Sequence, residues 1–149
     1  MQKIFDIGER LFFNNILICL LSYIYFNIMP INKITLLFGF IFSILFFGVN
    51  LYTGYDTELL LKESLIVGVM GCGLGIFLYL LSMYIHFIMN DPKDAAMLVE
   101  PYFSPTMSII KVFFKKVDIN YPIIIAAINT GLVVLGNLLR RLARDKSVI

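Results

Sequence analysis

Few residues in this chain could carry chemistry. Its 149 residues include one histidine, His86, and two cysteines, Cys19 and Cys72. A metal centre needs several ligands, and the acidic residues that follow His86, Asp91 and Asp94, belong to a different segment. A nucleophile–base pair needs a hydroxyl or thiol beside the imidazole. Ser82 stands four residues before His86, within reach on a helix, but nothing nearby would orient the ring as a third group. Cys19 and Cys72 lack the Cys-x-x-Cys spacing of a redox pair and read as small buried thiols. The expectation is a non-enzymatic protein with no catalytic residues, no cofactor and no metal.

The elements that hold these residues are set by where charge is missing. Hydrophobic residues make up 60% of the chain and charged residues 15%, against about 45–50% and about 25% in soluble domains. Mean hydropathy is +0.89. Four stretches contain no charge: residues 11–32, 34–55, 64–90 and 119–139, of 22, 22, 27 and 21 residues. Each meets the length of about 20 apolar residues that a helix needs to cross a bilayer. Barrel strands would alternate apolar with polar, whereas Ile41-Phe42-Ser43-Ile44-Leu45-Phe46-Phe47 is apolar on both faces. The predicted fold is therefore an all-α integral membrane protein, a four-transmembrane-helix bundle forming a single domain. Its spans are expected near residues 11–29, 34–54, 64–89 and 120–139. An extramembrane loop fills 90–118 and a basic tail 140–149. The first run is too long for a signal peptide and lacks a cleavage site. Pro30 lies in the tight connection to the second, which makes those two helices antiparallel neighbours.

The segments outside the runs have their own signals. Asp56 can cap a helix start, with Glu58 and Lys62 paired one turn apart. One helix from 57 to 89 would then be about 50 Å long. In the loop, Asp91 reads as an N-cap with Pro92 in the first turn, and Pro101 as the end of that helix. Met107, Ile110, Phe113, Phe114 and Val117 then share one arc, opposite Lys111 and Lys115. That pattern predicts a short amphipathic helix lying in the interface, its lysines reaching toward head groups. A connector packed on the bundle top, or a re-entrant pore element, are the alternatives. Arg140, Arg141, Arg144 and Lys146 form the densest basic cluster. By the positive-inside rule they put both termini in the cytoplasm, with anionic lipid head groups as their partners. Without an aromatic platform, nucleic acid is not an expected partner.

Small and polar residues inside the runs point to packing. Gly68, Gly71 and Gly75 line one face of the third run, Gly39 and Ser43 the second, and Ala127 and Gly131 the fourth, at the spacing that lets helices approach closely. Asn15, Cys19 and Ser22 form a polar stripe on the first run; Asn129 and Thr130 add polarity to the fourth. No run holds the charge a proton-coupled transporter resembling the small multidrug antiporters would need. Gly136-Asn137-Leu138-Leu139-Arg140-Arg141 is similar to the Gly-Asn-x-x-Asp-Arg motif of the lipoprotein signal peptidases. Arg140 replaces the catalytic aspartate there, so the similarity implies no aspartyl chemistry.

The favoured function is an accessory subunit of a larger membrane assembly, such as a secretion or transport complex, docking through the glycine face and the polar stripe. A holin-like self-assembling pore, lined by that stripe with Asn129 and Thr130, is the alternative. An immunity protein against a pore-forming toxin is the third. Expected partners are the lipid bilayer and either other membrane subunits or further copies of this chain. The abundance of Ile, Phe and Asn suggests an AT-rich bacterium, hence the bacterial cytoplasmic (inner) membrane.

Overall fold

The computed structural model describes residues 2–113 and 120–146, the side chains of 145 and 146 excepted. The described residues are helical throughout, with short turns between: α1 (Gln2–Ile28), α2 (Lys33–Asp56), α3 (Leu61–Gly71), α4 (Gly73–Ile88), α5 (Pro92–Phe103), a 3-10 turn at Ser104–Thr106, α6 (Met107–Phe113) and α7 (Tyr121–Lys146). Three of them, α1, α2 and α7, are long and apolar enough to cross a membrane. The pair α3 and α4 meets the same criterion when taken together, across a 56° bend. Large apolar side chains cover the outside, among them Phe13, Ile44, Leu80 and Phe87. That is the surface a hydrocarbon solvent favours, and it fits a membrane location.

Helix starts follow local capping. Asn32 accepts the Thr35 N–H at 2.8 Å ahead of α2, and Asp91 accepts the Lys93 and Asp94 N–H groups at 3.1 Å ahead of α5, with Pro92 at the first position. Three local expectations are corrected. Asp56 ends α2 instead of starting a helix; α3 starts after Leu60, whose N–H is taken by Glu63 at 2.7 Å. The long third helix is broken at Cys72, between two glycines whose missing side chains lower the helical preference there. Pro101 lies inside α5, which runs on to Phe103 before the 3-10 turn.

The larger difference concerns the loop. Instead of lying across one end, α5 runs back along α4, the 3-10 turn lies against both α1 and α2, and α6 packs on α2. Tyr102, Phe103, Met107 and Ile110 are buried in one core cluster with Cys19, Phe46, Val99 and Ile125. Only Phe113 of the expected lipid-facing arc is exposed among the described residues; Phe114 and Val117 lie outside them. Two features the periodicity could not weigh decide this. The 3-10 turn tip is buried side chain by side chain, and its backbone finds partners, Ser43 Oγ donating to the Pro105 carbonyl at 2.6 Å. Apolar residues on an amphipathic arc fit a protein slot as well as a lipid interface.

A second, smaller cluster of Leu11, Leu59, Val67 and Val133 packs the end that holds the chain's N-terminus. There α2 and α7 cross at closest approach through Gly54 and Gly136: a Cβ on Gly54 would run into the Val133 carbonyl, and one on Gly136 into the Leu51 carbonyl. Between the two clusters, Asn15 and Asn50 exchange amide hydrogen bonds at 3.3 and 3.1 Å, and Asn15 also donates to the Gly71 carbonyl at 3.0 Å. Asn50→Leu should cost about 1–2 kcal/mol, since it leaves the Asn15 carbonyl oxygen unpaired. Asn15→Leu should cost more, because it strands the Gly71 carbonyl as well. Denaturant titration in detergent measures both, and equal losses would contradict the arrangement.

Candidate functional site

Several buried polar groups gather at the break between α3 and α4. The end of α5 reaches this break: the Tyr102 ring lies on Gly75, where a Cβ would fall within the ring. Cys19 donates to the Tyr102 carbonyl at 3.5 Å and Cys72 to the Ala126 carbonyl at 3.6 Å; Thr130 donates to Cys72 Sγ at 4.0 Å. The Tyr102 hydroxyl lies beside Cys72 and the Asn129 amide. Tyr102 Oη, Asn129 Nδ2 and Asn129 Oδ1 are nevertheless buried without a hydrogen-bond partner. Residues from α5, α7 and the helix break thus meet at one apolar-walled centre.

The residues singled out in the sequence divide sharply. Gly68 backs onto Thr130, Gly71 onto Leu11, Gly75 onto Tyr102, and Gly39 onto Ser108 and Phe26. Together with Ser43 these positions pack within the chain, so the glycine face is not an open docking surface. Ala127 and Gly131 instead face outward, and nothing lies within 4 Å of a Cβ built on Gly131. The stripe is likewise internal: Asn15 bonds Asn50, Cys19 the Tyr102 carbonyl of α5, and Ser22 the Cys19 carbonyl at 2.9 Å. Asn129 is fully buried and Thr130 half-buried. Ser82 donates to the Ala95 carbonyl at 2.8 Å, not to His86, so the hydroxyl–imidazole pair is not assembled.

The basic cluster also has an internal use. Arg140 donates to the Asp56 carbonyl at 2.6 Å and to Glu58 at 3.1 Å, and Arg144 reaches the same carboxylate oxygen at 2.9 Å. Glu58 therefore pairs with α7 and not with Lys62. Arg141 and Asn137 both donate to the Leu59 carbonyl at 2.9 Å. The motif at 136–141 is thus a clamp: Gly136 lets α2 approach, and the next polar residues tie down the α2–α3 turn. A cavity beside it is lined by Glu58 and Glu63 as well as by the three arginines, which leaves one net positive charge on its wall. Lys111 is exposed at the end of α6, while Lys115 and the Lys146 side chain lie outside the described residues. Sequence reasoning missed Tyr102, Asn50, Gly54 and Asn137's role, since none stands at a recognisable spacing from its partner.

The two kinds of clamp bond should separate on mutation. Glu58 is more than half exposed, so Glu58→Ala should change stability by less than about 1 kcal/mol and only at low salt. Asn137→Leu should cost about 0.5–1.5 kcal/mol at any ionic strength, because the Leu59 carbonyl loses its neutral buried donor and keeps only Arg141. Thermal unfolding in detergent at two salt concentrations checks both; a larger loss for Glu58→Ala would reverse the assignment.

No family model, no curated protein and no solved structure matches this chain, so its function is argued from the geometry alone.

Proposed function

We propose that the protein is a non-enzymatic membrane subunit that acts through contacts with other membrane proteins, in an assembly of the secretion or transport kind. In this reading the helices make a four-span bundle in the bacterial cytoplasmic membrane, with α3 and α4 as one broken span and both termini cytoplasmic. The observation that carries it is the contrast between inside and outside. Inside, the stripe residues Asn15, Cys19 and Ser22 are bonded to the chain's own helices, and the α5–α6 segment packs among them. A pore lined by that stripe would need those groups in water. Outside, Ala127 and Gly131 leave a shallow seam on α7, flanked by exposed Ile124, Ile128 and Leu135. Small residues between larger apolar ones let a second helix approach closely in lipid, where dispersion and packing drive association.

Mild-detergent purification of the tagged protein from its native host, with the mass of the intact particle, tests this reading. Other polypeptides in the particle are the expected result, and Gly131→Leu should release them while the protein itself stays folded. A particle of this chain alone would favour the self-assembling pore, and a bare monomer the immunity reading; either overturns the subunit proposal.

A further inference from the structure

The cavity beside the α7 clamp lies where the apolar part of two helices ends. Its volume is about 270 Å³, and Leu60 lines it together with Glu58, Glu63, Arg140, Arg141 and Arg144. A water molecule takes about 30 Å³ of liquid volume, so the space suits a group of several heavy atoms better than a bare ion. Here α2 finishes and the charged part of α7 begins, and both helices are long and apolar enough to cross a membrane. Tyr52 and Tyr55 on the last turns of α2, Leu60 and Leu61 at the start of α3, and Leu142 on α7 are exposed. Tyrosine beside apolar surface is the mark of the membrane–water boundary, which puts the cavity at head-group level.

The charges on its wall do not cancel. Glu58 Oε1 is shared by Arg140 at 3.1 Å and Arg144 at 2.9 Å, and Glu63 accepts the Leu60 N–H at 2.7 Å. Among the described residues Arg141 bonds neutral oxygens only, the Leu59 carbonyl at 2.9 Å and Asn137 Oδ1 at 3.4 Å. Those bonds use two of its N–H groups, and a guanidinium carries five. Arg141 is also exposed, so its remaining donors are open to a ligand. Three arginines against two glutamates leave one positive charge. A cation would meet the guanidinium groups, and a polyanion would be opposed by both carboxylates. A phosphodiester carries a single charge on two unesterified oxygens, the geometry that a guanidinium fork grips.

We propose that this cavity binds the phosphodiester of one monoanionic phospholipid, of the phosphatidylglycerol type. Arg141 is the main contact, and the acyl chains lie along the exposed leucines. This narrows the head-group contacts of the basic cluster to one stoichiometric site. It requires that α2 and α7 cross a bilayer but needs no partner subunit, so it stands or falls apart from the subunit reading.

Native mass spectrometry of the full chain in an uncharged detergent tests it, with phosphatidylglycerol or phosphatidylcholine of equal chain length as titrant. One phosphatidylglycerol per chain should bind about fivefold tighter than phosphatidylcholine, the worth of one basic residue at a membrane surface. Equimolar inorganic phosphate should not displace it. Arg141→Gln should weaken the binding by about the same factor. Glu63→Gln keeps an acceptor for the Leu60 N–H but removes a negative charge from the wall, and should strengthen binding to a similar extent. The opposite signs identify charge recognition, since a loosened clamp would weaken binding in both variants. Equal affinity of the unmodified chain for the two lipids overturns the proposal, whether or not the variants fold. So do uptake that runs past one lipid without a break, displacement by phosphate, and weaker binding in both variants.

Discussion

A backbone group that leaves the helical ladder in a buried apolar setting must find a partner inside the protein, and this chain leaves the regular α-helical ladder at two buried places, the break beside Cys72 and the 3-10 turn between α5 and α6. The side chains that answer this constraint come from other elements. Asn15 takes the Gly71 carbonyl, Cys19 that of Tyr102 and Ser43 that of Pro105, while the Cys72 thiol bonds the Ala126 carbonyl within α7. These bonds fix which helix faces which, because each donor reaches its carbonyl in one arrangement only. The glycines then let the backbones come close enough for short polar side chains to reach. Removing one member therefore disturbs a helix contact as well as a hydrogen bond.

The same logic holds at the end of the bundle, with charge added. The α2–α3 turn exposes the Asp56 and Leu59 carbonyls, and α7 supplies Arg140, Arg141 and Asn137 to meet them. Guanidinium groups suit this edge: their stems lie along apolar surface while the planar head bonds several oxygens at once. A cluster that the positive-inside rule accounts for by topology thus also closes the fold. The two roles are compatible, since Arg144 remains largely exposed while it touches Glu58.

Much of this architecture was legible in the sequence because charge-free length is a direct record of the solvent. Membrane-length apolar helices, the turn at Pro30, the cap at Asp91 and the close-packing role of Gly68, Gly71 and Gly75 all follow from local pattern. What failed was anything set by pairing across distance. Nothing local to Asn15 names Asn50 as its partner, and nothing near Tyr102 announces that Gly75 makes room for its ring. The loop was misread for a related reason. An apolar arc shows that a helix wants a nonaqueous neighbour, and lipid and protein serve equally until the partner surface is known. The Gly136–Arg141 motif illustrates the same limit: its meaning lies in the turn it grips, some 80 residues earlier (Asn137 and Leu59 are 78 apart).

That separation bears on how the molecule is made. Synthesis delivers the α2–α3 turn long before α7, and the slot that receives the α5–α6 segment is bounded by α1, α2 and α4, all of which precede it. Through that interval the Leu59 and Asp56 carbonyls lack their final donors, and the slot between the early helices has no filling. Closure must therefore come late and from the C-terminal side, with α7 acting as the last piece that locks the earlier ones. A chain truncated before Asn137 would keep Ile125 and Val133 in the two core clusters and lose the donors that close the α2–α3 turn.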